Sequence, residues 1–228
     1  MAKENKKKNE VNEFDQTIEA SKTFFEKNKK TILYGGGAVL FVIIAALLIH
    51  QFYITPRNEK AAVELSKCEQ LFLEGKYDKA LNGEVDGAAG FLSVAEQYGS
   101  TKAGNLALMY AGICYAQDGK AEEAIKMFEK FDDCGDAVVS PAALGALGNC
   151  YAEVGQNEKA IATLLNAAKK ADNNTLSPMY LLQAGQIYES LGQNDKALEC
   201  YQQIKSKYQQ SMQYGEIDKY LERLNGTK

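Results

Sequence analysis

The chain is poor in the side chains that most enzymes use to move protons or acyl groups. It holds one histidine, His50, inside an apolar run, so any serine triad, histidine-bearing zinc site or histidine base would depend on that residue alone. Its five cysteines, Cys68, Cys114, Cys134, Cys150 and Cys200, include no C-x-x-C pair of the kind used in redox and zinc chemistry. Cys134 lies in the polar stretch Asp132-Asp133-Cys134-Gly135-Asp136, which makes it the thiol expected at the surface. Asp132, Asp133 and Asp136 resemble a metal site only superficially, because a run of solvated charges is far commoner. No nucleophile stands beside a base. The expectation is a protein that is not an enzyme, with no catalytic residue, metal or cofactor.

The elements that could position a binding surface are easier to read. The chain has 228 residues, 46% of them apolar and 25% charged, a globular composition. Residues 31–56 carry no formal charge, and Ile32 to Ile54 would span about 34 Å as a helix, enough to cross a bilayer. Tyr34, Phe52 and Tyr53 edge this run, and Lys27, Lys29 and Lys30 precede it. A cleaved signal peptide fits poorly, since 30 residues precede the run and no A-x-A site follows it. The expected organisation is a cytoplasmic tail over 1–30, a transmembrane helix over 31–55 and an exported domain over 56–228. Residues 1–30 hold 8 Lys against 6 Asp/Glu, and residues 57–228 hold 18 Lys/Arg against 24 Asp/Glu. That acidic balance carries no nucleic-acid footprint. Val11, Phe14, Ile18 and Phe25 predict a short amphipathic helix in the tail. Gly35, Gly36 and Gly37 offer a place where another membrane helix could approach closely.

The part beyond the apolar run repeats itself. YAQDGKAEEAIKMFEKF, YAEVGQNEKAIATLL and YESLGQNDKALECY share spacing, with tyrosines 115, 151 and 188 separated by 36 and 37 residues. Gly112, Gly148 and Gly185 precede each tyrosine by three, and Ala124, Ala160 and Ala197 follow it by nine. This spacing resembles the tetratricopeptide repeat, a helix-turn-helix unit, and implies an all-α solenoid. Physically, the first glycine row should face the alanine row where two helices cross. Gly119, Gly155 and Gly192 should end the first helices with positive φ. The tyrosines and the Phe128, Leu164, Tyr201 row should fill the space between units, and Pro141 and Pro178 mark helix starts. A degraded unit is legible in Glu59 to Leu81, interrupted by Asn82-Gly83-Glu84-Val85-Asp86-Gly87, with helix resuming at Phe91 to Tyr98. Ile217, Tyr220, Leu221 and Leu224 predict a capping helix from near Ser211. Cys114 and Cys150 fall at the same place in successive units, about 8–10 Å apart and beyond disulfide reach.

In such a solenoid the first helices line the inner wall. By position that wall holds Leu106, Met109, Ile113 and Ala116, then Ala142, Gly145 and Asn149, then Met179, Leu182 and Gln186. Repeat domains that clamp C-terminal carboxylates use Lys, Arg and Asn at these places, so a carboxylate clamp is not expected. Two occupants remain open, an apolar partner segment or one of the protein's own helices.

The order of tail, span and repeats, with Thr23-Phe24-Phe25-Glu26-Lys27-Asn28-Lys29-Lys30 at the membrane entry and Tyr98-Gly99 within Phe91 to Gly112, resembles the YfgM-like ancillary subunits of the Sec translocon. The resemblance implies a bacterial inner-membrane protein whose periplasmic domain associates with translocon subunits, a periplasmic chaperone or an emerging polypeptide, with no small-molecule substrate. A scaffold for cell-envelope assembly, in cell-wall synthesis at division or outer-membrane protein biogenesis, would use the same groove. Orientation is directly testable: an impermeant maleimide should label Cys134 from the periplasmic side of intact spheroplasts. Labelling confined to inside-out vesicles would reverse the topology.

Overall fold

The computed structural model describes residues 2–84 and 87–226, and among them every regular element is helical. Two units separate, residues 1–56 and 57–228. The first unit is built on α1 (Ala2–Ile49), followed by a π-helical turn, His50–Ile54. Lys, Glu and Ala favour helix and no proline interrupts, so the tail is part of α1 and not a separate short helix as predicted. The side chains of Val11, Phe14 and Phe25 lie outside the described residues; Ile18 is exposed. An 18-residue window of the apolar stretch has mean hydropathy 2.6 and none of it is buried, so one helix near the N-terminus is long and apolar enough to cross a membrane. The π turn has a local cause. Pro56 has no N–H to give and its ring crowds the preceding turn, and the Thr55 N–H and hydroxyl both reach the His50 carbonyl, the latter at 3.0 Å.

The second unit begins within α2 (Thr55–Leu73), which is followed by α3 (Tyr77–Asn82) and α4 (Phe91–Tyr98). Three helix pairs follow: α5 (Lys102–Gln117) with α6 (Ala121–Lys130), α7 (Val139–Glu153) with α8 (Asn157–Ala171), and α9 (Ser177–Ser190) with α10 (Asn194–Lys207). Each pair turns identically. The carbonyls of Tyr115, Tyr151 and Tyr188 accept from the N–H five residues on, at 2.8–2.9 Å, and the intervening Gly119, Gly155 and Gly192 have φ of +70°, +75° and +71°. Only glycine adopts that conformation without strain, which makes the turn a sequence-encoded stop. Leu71, Gly75 and Lys76 make the same turn after α2, which identifies the degraded unit as a true repeat.

The insertion splits that repeat's second helix. α3 stops at Asn82 and α4 resumes at Phe91, and the ends of the loop meet where Glu84 N–H donates to the Ala88 carbonyl at 3.0 Å. A Cβ on Gly83 would lie 2.6 Å from that carbonyl oxygen, so the closure requires glycine there. Val85 and Asp86 lie outside the described residues. Phe91 is fully buried with Cys68 and Ala80, and its ring stacks on Tyr110 at 5.0 Å. α3 and α4 therefore serve together as one second helix, tied to the start of α2 by Arg57, which donates to the Gln97 carbonyl and lies over the Tyr98 ring.

Two expectations are corrected. The glycines of the first helices face mainly the larger row of the second helix: an added Cβ would meet the Phe128 ring from Gly112, Leu164 from Gly148 and the Tyr201 ring from Gly185, and the expected alanine row enters only where the Ala160 backbone also lies beside Gly148. That row consequently fills the crossing within each unit, not only the space between units. The cap also begins later than Ser211. The Ser211 hydroxyl donates to the Tyr208 carbonyl and accepts from Tyr214 N–H, holding a turn and a short 3-10 segment, and α11 runs Ile217–Asn225 with Ile217 and Leu224 buried.

Gly148→Leu places its Cβ 2.7 Å from Leu164 Cγ. It should lower stability by about 1–3 kcal/mol through overpacking, read as a fall in Tm by circular dichroism. An unchanged Tm would contradict this helix crossing.

Candidate protein-binding groove

The residues expected on the inner wall are held by what packs behind them. Leu106 leans on the cluster of the first repeat and junction, Met109 and Ile113 on the middle cluster, and Met179 and Leu182 on the last. All five are half-buried, while Asn149 and Gln186 are exposed. Gly145 departs from its expected place. It is buried, and the Tyr180 ring of α9 lies directly over its backbone, where any Cβ would collide. Met109 holds the same register position one repeat earlier and packs against the cluster containing Ala143, the register equivalent of Tyr180. Successive junctions thus exchange large for small, Met109 with Ala143 and Gly145 with Tyr180. The α11 cap reaches the C-terminal end of the wall, where Gln186 Nε2 meets the Tyr220 hydroxyl at 3.3 Å and Arg223 pairs with Glu189 at 2.7 Å.

Charge is segregated between the two helices of each pair. α5, α7 and α9 hold one charged residue each, Lys102, Glu153 and Glu189, whereas α6, α8 and α10 hold four or five each. Glu189 is engaged, accepting from Tyr201 at 3.0 Å and from Arg223. The wall offers apolar contact and side-chain amides and has almost no charge with which to bind an ion.

The acidic stretch between α6 and α7 is structural. The Asn105 side-chain amide pairs with both backbone groups of Asp132 at 2.7 Å, a clamp with no visible signal in the repeat pattern. Asp133 pairs with Lys170 and accepts from Gly135 N–H; those hydrogen bonds lower its carboxyl to about 2. Burial opposes ionisation of Asp136. Hydrogen bonds from Val138, Val139 and Ser140 outweigh that and hold its carboxyl below the ordinary range, so Asp136 caps the entry to α7. Buried Ser140 in turn accepts from Cys134 N–H, as buried Ser177 does from Asn173 N–H one junction later. Among the described residues no group of His, Cys, Asp and Glu is arranged to hold a metal ion.

The five thiols are free, four of them buried and Cys134 exposed. Burial pushes Cys114 up to about 12 and Cys150 and Cys200 up to about 11, which makes them packing groups and not nucleophiles.

This geometry defines a class: an α-solenoid of helix-turn-helix repeats, a fold that typically serves as a non-enzymatic scaffold for protein-protein interaction. Residues 22–225 match the tetratricopeptide repeat-like domain, and the chain belongs to that family. No curated protein sequence matches it significantly. Among solved structures, two of MamA are 19% identical, cover 70% and 74% of this chain and 92% and 91% of their own, and superpose with TM-scores of 0.51 and 0.53. A putative kinesin light chain of Podosopora anserina with nearly identical TPR-like repeats is 13% identical, covers 75% of this chain and 89% of its own, and has a TM-score of 0.56. At these identities the likeness is one of fold.

The carboxylates of Asp133 and Asp136 set a pH dependence. Their folded pKa values lie below the unfolded value near 4, so their stabilisation is present above about pH 4 and is lost as pH falls through the folded values. Between pH 5 and pH 2 the Tm of the wild type should fall more steeply than that of Asp133→Asn/Asp136→Asn. Parallel curves would deny these groups a role.

Proposed function

We propose that the protein is a membrane-anchored adaptor whose repeat domain holds a polypeptide segment in the groove lined by Leu106, Met109, Ile113, Asn149, Met179, Leu182 and Gln186. The observation that carries this reading is the segregation of charge. A solvated face in an acidic domain ordinarily carries ions, and α5, α7 and α9 instead present apolar and amide groups suited to an uncharged or apolar segment. The apolar helix near the N-terminus supports anchoring, with residues 1–30 cytoplasmic, 31–55 in the membrane and 56–228 in the bacterial periplasm. An added Cβ at Gly35, Gly36 or Gly37 would meet nothing within 4 Å, so those positions are free to receive a helix of a membrane partner. The resemblance to the YfgM-like subunits directs the proposal to the Sec translocon, with periplasmic chaperones or an emerging chain as the groove's occupant. Its chemistry is burial and amide hydrogen bonding, with no bond made or broken.

The test is a photoreactive residue at exposed position 149, in full-length protein in native membranes. Adducts with translocon subunits or export chaperones are expected, and Leu182→Asp should reduce them at least about tenfold by placing a charge in the apolar contact. Adducts with envelope-assembly factors, adducts only within the chain, or capture unchanged by Leu182→Asp would overturn the proposal.

A further inference from the structure

Tyr180 is almost fully buried, its ring covering Gly145. Ala143, its equivalent in α7, supplies only a methyl group, and beside it lies a cavity of about 160 Å³. The Met109 side chain packs against this cluster but does not line the cavity. The floor is largely apolar, made by Phe128, Phe131, Leu144 and Leu147; the buried Ser140 hydroxyl also lines it but is engaged by Cys134 N–H and Asp136, and Asp133 and Asn166 stand at its exposed edge. None of the wall residues of the groove contributes to it.

Protein interiors rarely leave a void much larger than a water molecule, because lost dispersion contacts are costly. A void with an apolar floor gives water too few hydrogen-bond partners, and an apolar cavity of about 150 Å³ accepts a benzene-sized guest. The edge is different in kind. The Asp133 carboxylate is paired with Lys170, and Asn166 presents an amide, so the mouth carries little net charge and offers hydrogen bonding above a largely apolar floor. An amino-acid residue has that distribution, with an apolar ring inward and the peptide N–H and C=O at the rim. We infer that this cavity is a pocket for one aromatic side chain of a partner polypeptide, a second contact site separate from the groove. A free aromatic molecule would match the floor but leave the rim unused.

The test uses full-length protein in lipid nanodiscs, with methyl-labelled leucines followed by NMR during titration with N-acetyl-phenylalaninamide and, separately, benzene. Saturable shifts at Leu144 and Leu147 are expected with both. Ala143→Leu fills the space and should abolish both responses while raising Tm. Asn166→Ala, at an exposed position, should leave benzene binding unchanged and weaken the amide about fivefold, the loss of one hydrogen bond. It decides the assignment if Ala143→Leu fails to fold. No shift with either ligand, or shifts unchanged in Ala143→Leu, would overturn the pocket. Benzene binding without amide binding, or equal amide binding by Asn166→Ala, would overturn the peptide assignment. Because no groove residue lines the cavity, failure of Leu182→Asp to affect capture leaves this test intact.

Discussion

Everything in the repeat domain depends on a missing side chain. Gly112, Gly148 and Gly185 let Phe128, Leu164 and Tyr201 lie against the bare backbone of the first helix, and the helix pair closes on that contact. The glycine-ended turn that follows in each unit sets the return angle, so one local geometry is reproduced with every repeat. The degraded unit keeps the turn but replaces the first glycine with Cys68, a small, buried thiol that still admits Phe91 to the same cluster. Its second helix tolerates a loop because closure takes place between Glu84 and Ala88 and returns the chain in time for Phe91.

Between units the constraint is one of volume. Successive first helices pair a large residue with a small one: Tyr180 covers Gly145, and one junction earlier Met109 packs on the cluster that contains Ala143. The Tyr180 ring fills its gap, while beside Ala143 a cavity opens among α6, α7 and α8. Polar groups serve the same junctions from outside. Thr101, Ser140 and Ser177, the buried polar residues among those described, stand at the beginnings of α5, α7 and α9 and bind the incoming backbone. Charges accumulate on the second helices, leaving the first helices to apolar and amide contact.

Much of this was legible in the chain. Helical period, turn chemistry and the apolar run are written in residues close together in sequence, and the repeats, the interrupting loop, the buried thiols and the membrane-length helix were read from them. The expected wall was legible only as a register. Gly145 belonged to it by spacing, and its burial follows from a tyrosine 35 residues away. The spacing of Val11, Phe14, Ile18 and Phe25 predicts a helix in the tail but does not say where that helix ends, and α1 continues to Ile49. Gly112 was paired with Ala124 because small residues suggest close approach, whereas the bulk that needs the space belongs to Phe128.

The sequence by itself determined the unit, since a positive-φ glycine and an i to i+4 pattern act within a few residues and require no partner. Only the tertiary structure decided how neighbouring units interlock: which glycine is covered, which alanine leaves a cavity and which asparagine clamps a loop. Those outcomes depend on the summed volumes and hydrogen-bond capacities of side chains from different helices, and such sums have no value until the helices are stacked.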